Sequence, residues 1–309
     1  YELVSFLQTG VWKPPTFLPA VKTCTPQKVV CKFDMKDVKG QTLAKRGLEI
    51  AAAGGHNILL SGPPGVGKTM LASALPSILP NMSQQEMLEV TRIYSAAGEL
   101  CPTSLIEQRP FRAPHHSASS VAIVGGGQTP TPGEITLAHR GVLFLDEFAE
   151  FPRSLLEILR VPLEDRAITI VRAAYRVQFP AQFLLVASLN PCPCGYLGDL
   201  VNKCQCLPNQ LISYKKRISG PVFDRIDLQV ALERVSFEDF SMDFSTECSE
   251  DIRTRVEQAR VLQLQRFQDT PQQCNVEMSA KQLKTHCKLS DECMEFMKTA
   301  SLKFHFSAR

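Results

Sequence analysis

No apolar run in this sequence approaches the roughly 18 residues needed to cross a bilayer, so no membrane partner is expected. The first residues lack a basic stretch followed by an apolar one, so no secretory signal is visible. The chain opens on Tyr1 rather than Met and stops at Arg309 within sequence of helical character, so it reads as a piece of a longer protein. Internal repeats and low-complexity tracts are missing too. Excess charge is scarce: the net value is +3, so bulk charge does not announce a nucleic-acid partner, which would have to meet a local patch. There is no disulfide framework either. The eleven cysteines are odd in number and mostly scattered, which fits a reducing cytoplasm and small buried thiols.

What is present suits a globular enzyme. At 309 residues, 44% hydrophobic and 21% charged, the chain can bury a sizeable core. Residues 1–32 carry Pro14, Pro15, Pro19 and Pro26 in weakly patterned sequence and read as a domain tail plus linker. A helix is expected from about residue 42, with Leu43, Gly47, Ile50 and Ala51 on one face and Gly54-Gly55 at its end. Short apolar runs at 56–60, 141–145, 183–187 and 226–231 read as buried strands, and 167–179 as a β-hairpin. Helices are expected at 68–75 and 154–163. Apolar strands alternating with helices imply an α/β fold, a parallel sheet covered on both faces. From about 236 onward the character changes to a small all-helical unit, with helices at 251–269 and 290–301. The expected division is therefore 1–32, 33–235 and 236–309.

Two motifs carry chemistry. Gly62-Pro63-Pro64-Gly65-Val66-Gly67-Lys68-Thr69 matches G-x-x-x-x-G-K-[ST] in full, between an expected strand and an expected helix. Its glycines let backbone N–H groups face phosphates, and the helix start adds partial positive charge. Lys68 should reach the β- and γ-phosphates of ATP, and Thr69 should ligate Mg2+. Asp146 and Glu147 end the apolar strand 142–145 at the edge where open α/β sheets bind ligands. Asp146 should hold Mg2+, and Glu147 should orient or deprotonate the attacking water. Lys68 and Asp146 are 78 residues apart. Two βαβ steps need only about 60, so the surplus at 109–140, with Arg109, Arg112, His115 and His116, reads as an insertion. His115-His116 suggests a metal or, more simply, a polar loop.

Cys192-Pro193-Cys194 and Cys204-Gln205-Cys206 form two C-x-C pairs nine residues apart. Four thiolates can enclose a tetrahedral Zn2+ with no open position, which makes it structural rather than catalytic. Free thiols or an occasional disulfide are the alternatives.

Together these residues resemble the ComM/YifB family of magnesium-chelatase-like AAA+ ATPases over about residues 33–309. The resemblance rests on the phosphate loop and on residues 37–41, 51–57, 109–116, 132–134, 141–147, 190–195 and 218–227. It implies an AAA+ P-loop core followed by a partial helical lid. It also implies that Val38, Gly40 and Gln41 line the adenine pocket, and that the loop, from Gly62 through Met70, holds the phosphates. On the same basis Asn190 is the sensor-1 residue that feels the γ-phosphate. Arg225 is implied to be an arginine finger acting on ATP in the neighbouring subunit of a hexameric ring; from the residues alone it equally reads as a surface ion-pair partner. The hairpin and the 109–140 insertion would point into the ring's pore. Relatives of this kind resemble DNA branch-migration helicases of natural transformation, so Arg166, Arg172, Arg176, Lys215, Lys216 and Arg217 become candidates for phosphate contact, with solvated faces or ion pairs as the plain alternative. The sequence departs from the family pattern at Phe148-Ala149, where Leu-Pro is usual, and lacks the sensor-2 helix expected beyond 309. The leading expectation is an ATP-driven DNA motor. A chelatase-type motor subunit and an ATP-dependent scaffold without turnover are the alternatives.

Overall fold

A computed structural model describes residues 33–99, 105–127, 130–172, 175–199, 201–217, 220–235, 247–270 and 272–304. The expected tail at 1–32 lies outside them, as do Ile218, Ser219 and the turn of the hairpin.

Five strands form one parallel sheet. They are β1 (Ile58–Ser61), β2 (Phe111–Arg112), β5 (Val142–Leu145), β8 (Leu184–Leu189) and β9 (Leu228–Ala231), in the spatial order β2-β5-β8-β1-β9. Val186 pairs with both Ile58 and Phe144, so β8 sits between β1 and β5. That places the ends of the phosphate loop strand and the acidic strand on either side of one central strand. Alternate residues feed opposite layers, as the strand period requires. Ile58, Leu60, Val142, Phe144 and Val186 join one core cluster, whereas Leu59, Leu143, Leu145, Leu185 and Ala187 join the other. Each fully buried Leu or Ile contributes about 1.5–3 kcal/mol, which is why these short strands need no help from length.

The first cluster is covered by α1 (Thr42–Gly54) and α2 (Lys68–Ala74). The inward face of α1 matches the expected one at Gly47 and Ala51 but not at Leu43 and Ile50. Leu43 and Ile50 are exposed, while Ala44, Gly47, Leu48, Ala51 and Ala52 are buried. Small residues win the inner face because the helix lies close on the sheet: a Cβ on Gly47 would stand 3.0 Å from a Val230 methyl. A helix the sequence reading did not propose, α3 (Gln84–Ala97), starts at a reciprocal capping box between Ser83 and Glu86 and stops at Gly98.

The segment 109–140 is not simply a loop. Phe111 and Arg112 form the edge strand β2, followed by α4 (Ser120–Val124), the strands β3 (Gly125–Gly126) and β4 (Thr131–Pro132), and α5 (Glu134–Leu137). A two-residue strand has no readable period; pairing with β5 and stacking of Phe111 on Phe144, 6.1 Å between ring centroids, create it. The single helix expected at 154–163 is two, α6 (Arg153–Ile158) and α7 (Arg160–Asp165). Pro162 has no N–H to give the Ile158 carbonyl, and the helix breaks there. The hairpin is present as β6 (Ala167–Arg172) and β7 (Tyr175–Pro180), antiparallel in the expected register region.

Two short helices, α8 (Pro208–Lys215) and α9 (Gly220–Phe223), precede β9. The helical region itself holds α10 (Ser249–Arg266), α11 (Ala280–His286) and α12 (Asp291–Phe304). Ile252 and Val256 of α10 are buried in the cluster that includes Leu48 and Ala52 of α1. No helix among the described residues is long and apolar enough to cross a membrane.

Candidate active site

The loop after β1 curls because its glycines allow it. Gly65 and Gly67 sit at φ +81° and +92°, a region that side chains resist. Gly62 is required for a different reason: a Cβ there would stand 2.6 Å from the Leu232 carbonyl oxygen. Lys68, the first residue of α2, is buried. Its amine donates to the carbonyls of Gly62 (2.7 Å) and Pro63 (2.9 Å) and to Asn190 Oδ1 (3.0 Å). Burial holds the Lys68 pKa below the ordinary lysine value, while the nearby carboxylates of Asp146 and Glu147 act the other way.

Asp146 and Glu147 follow β5. Thr69 Oγ1 donates to Asp146 Oδ2 at 2.9 Å, so the second P-loop side chain meets the acidic strand directly. The hydroxyl and the carboxylate thus meet where Thr69 would ligate Mg2+ and Asp146 would reach it through a water. Glu147 adopts φ 53°, ψ 49°, a left-handed conformation rare outside glycine. Its N–H donates to Ser188 Oγ (3.0 Å) and Asp146 Oδ1 (3.1 Å), while the fully buried Ser188 hydroxyl donates to the same Asp146 oxygen. Glu147 is thereby turned outward, and its carboxylate lies 3.6 Å from His116 Nδ1. Lys68, Thr69, Asp146, Glu147 and Asn190, named from the sequence, are therefore brought to one place. Ser188 and Tyr214 were not named from the sequence, and His116 was singled out there only as a metal or polar-loop candidate. Tyr214, whose phenol burial pushes up to about 12, donates to the Asn190 carbonyl at 3.0 Å. No local pattern flags Ser188 in its apolar run; only strand pairing sets it beside Asp146.

Val38 is buried, and Gly40 and Gln41 both have positive φ. Gln41 Nε2 donates to the Glu233 carbonyl (2.7 Å) and reaches the Val66 carbonyl (3.4 Å), so Gln41 lies beside the phosphate loop. Met70 turns instead toward the core and packs on the first cluster.

With this geometry in view, the comparisons with known proteins carry weight. The family description "Magnesium chelatase, subunit ChlI" matches residues 34–240, and its C-terminal counterpart matches 246–309. The chain belongs to this family. Within it, the chain is similar to competence protein ComM of Haemophilus influenzae, 43% identical over 90% of this chain and 53% of that protein. YifB of Escherichia coli is 44% identical over 84% of this chain and 51% of its own length. The 38 kDa magnesium-chelatase subunit of Cereibacter sphaeroides is 26% identical over 52% of the chain and 53% of that subunit. The chain thus spans about half the length of the curated relatives it matches, and its likeness is to the ComM/YifB branch of this P-loop AAA+ family.

Arg225, the finger expected from that family, is held within its own chain: its side chain is only 10% exposed and pairs with Glu164 of α7 and the Pro221 carbonyl. Among the basic candidates for phosphate contact, Arg166 pairs with Glu277 at 2.7 Å and Arg217 with Glu150 at 2.7 Å, whereas Arg176, Lys215 and Lys216 are exposed. Of Arg172 the backbone alone is described, in β6.

The four cysteines converge. Cys192, Cys194, Cys204 and Cys206 are free thiols whose sulfurs all lie within 4.8 Å of one another. Three of the separations are 3.3, 3.6 and 3.7 Å. Ligands at about 2.3 Å from a tetrahedral Zn2+ stand about 3.8 Å apart, so the set fits that ion with little adjustment. Two of the thiols are shifted in opposite directions. N–H groups of Tyr196 and Gln205 bring Cys194 down to about 6. Cys206 receives the Cys194 N–H, which lowers it, but desolvation and the neighbouring sulfurs push it up to about 12. His115 and His116 pack tilted against each other, 4.1 Å between ring centroids, and belong to no cluster of metal-ligating side chains among the described residues.

Proposed function

We propose that this chain is the ATP-hydrolysing core of a ring-forming motor that acts on DNA. The observation that carries the proposal is the convergence of the buried Lys68 amine, the Thr69–Asp146 pair and the Asn190 amide on one curled glycine loop. Mg2+ bound with the nucleotide supplies charge neutralisation at the β- and γ-phosphates. The chain's own groups do the rest. The N–H groups of 65–69 and the start of α2 donate to the phosphate oxygens. Lys68, now satisfied by two loop carbonyls, exchanges them for phosphate oxygens. Thr69 and Asp146 hold the metal side, Asn190 registers the γ-phosphate, and Glu147 takes the proton of the attacking water. Val38, Gly40 and Gln41 face the base. Arg225 is the cation offered to ATP of the next subunit in a hexamer, for which it must leave Glu164. The four cysteines hold a structural zinc.

DNA as the track is supported by the likeness to ComM/YifB proteins and by the exposed Arg176, Lys215 and Lys216. A chelatase-type motor is the second reading, favoured by the family description itself. ATP turnover of the full-length protein with and without DNA separates them. The DNA motor gives stimulation that fades as salt rises, the chelatase motor gives none, and a scaffold turns over nothing in either case. Two variants fix the site. Lys68→Ala is expected to weaken nucleotide binding by about ten- to a hundredfold, the value of losing charge-assisted bonds. Glu147→Gln should keep ATP bound while turnover falls by about 10²–10⁴-fold. Wild-type turnover in either variant rejects the site.

A further inference from the structure

The loop that carries the four cysteines touches the nucleotide site on three sides. It begins two residues after Asn190, whose amide accepts from the Lys68 amine. Its first tight turn, closed by Gly195 N–H to the Cys192 carbonyl at 2.9 Å, presses Gly195 onto the phosphate loop. A Cβ on Gly195 would stand 2.7 Å from Pro64 Cδ, and the residue sits at φ +83°, so the contact is backbone against proline ring. Farther along, the nearly buried Asp199 receives Arg234 Nε on both carboxylate oxygens at 3.0 Å. Arg234 also lies over the Tyr196 ring. Its neighbour Glu233 supplies the carbonyl that holds Gln41 beside the loop. The helix after Cys206 brings back Tyr214, whose hydroxyl donates to the Asn190 carbonyl.

Between these contacts the loop has little regular structure of its own: 190–207 holds neither helix nor strand among its described residues. Among the described residues of this loop, the convergence of four sulfurs is the feature that ties its two ends together. We infer that the tetrathiolate centre is a metal-dependent brace of the ATP site. Zinc held by Cys192, Cys194, Cys204 and Cys206 keeps Gly195 under Pro64 and Asn190 at the Lys68 amine, so nucleotide affinity depends on metal occupancy. The inference rests on the zinc and ATP readings proposed above and adds the coupling between them. The physical reason is loop entropy. Closing the nine-residue span between Cys194 and Cys204 through a metal removes the alternative conformers of a segment that must otherwise be ordered each time nucleotide binds.

The test uses the full-length protein, prepared under reducing conditions. Metal content is measured by elemental analysis, and replacement by Co2+ is followed by its thiolate charge-transfer absorption. Binding of a fluorescent ATP analogue is titrated in the loaded protein, after chelator stripping, and after zinc is returned. The expected result is one zinc per chain, a tetrathiolate cobalt spectrum, and affinity weakened about tenfold or more on stripping, equivalent to about 1.4 kcal/mol, then restored by zinc. Gly195→Ala should keep the zinc and still lose affinity, because it spoils the Pro64 contact and leaves the sulfurs in place. A chain without stoichiometric metal overturns the inference. So does unchanged affinity after stripping, or a Gly195→Ala protein that holds zinc and binds nucleotide as wild type does. Loaded protein that holds zinc but ignores nucleotide sinks the ATP reading along with the brace; loaded protein that binds nucleotide regardless of metal sinks the brace alone.

Discussion

A buried ammonium must find acceptors, and Lys68 finds three, two of them carbonyls of its own loop. That self-satisfaction explains how a cation can sit buried before any phosphate arrives. A second buried cation-forming group behaves differently. His139 is 4% exposed, accepts the Gln182 N–H on Nδ1 at 3.1 Å and faces Glu89 through Nε2 at 3.4 Å. Its Nδ1 is therefore unprotonated, which makes it the neutral Nε2–H tautomer. Burial first, then the Arg140 guanidinium, lowers its pKa from 6.5 to about 4. The unfolded chain thus binds a proton that the folded chain refuses between about pH 6.5 and 4. Stability from this residue is complete above about 6.5 and is lost as pH falls toward 4, by an amount on the order of 2–3 kcal/mol. Urea unfolding across that range should show the slope, and His139→Gln should flatten it. An identical slope in the variant would assign the acid sensitivity elsewhere.

At the scale of elements, the edge of the sheet depends on a side chain rather than on strand length. Arg109, just ahead of β2, donates to the carbonyls of Pro80, Asn81 and Arg140 and to both oxygens of Glu86. It so joins the start of α3, the approach to β5 and the edge strand at one guanidinium. Glu86 is nearly buried, and Arg140 stands 3.8 Å away. Removing Arg109 leaves a largely uncompensated carboxylate, so Arg109→Ala is expected to destabilise the fold by about 3–5 kcal/mol, read from the denaturation midpoint. A loss under about 1 kcal/mol would mean Arg140 alone suffices. The sequence reading placed Arg109 in an insertion. Its contacts come from three separated stretches, 80–81, 86 and 140, which no window along the chain brings together.

For the whole molecule, the pairing of Arg225 with Glu164 gives the ring hypothesis a sharp form. If Arg225 serves ATP in a neighbour, Arg225→Ala and Glu147→Gln chains are each inactive alone, and mixing them restores part of the turnover. Interfaces then arise in which one chain supplies a competent pocket and the other a competent arginine. Mixed chains that stay inactive would confine Arg225 to its ion pair.

Much of the site was legible before any fold was known. The P-loop, the strand ending in Asp146-Glu147 and the two C-x-C pairs each depend on short spacing, and backbone chemistry dictates what such spacing does. The longer helices at 42, 68 and 251 and the last one followed from period and breakers, whereas α3, α4, α5, α8, α9 and α11 were overlooked, although Ser83/Glu86 and Ser279/Gln282 marked the starts of α3 and α11. Long-range pairing decided the remainder. Strand order put Ser188 against Asp146 and made a two-residue edge from Phe111 and Arg112. Close approach to the sheet, rather than hydrophobicity, chose the inner face of α1. Local spacing fixes which groups exist and how the chain bends near them; which of them meet is a matter of packing between segments far apart in sequence, and that only the tertiary structure resolves.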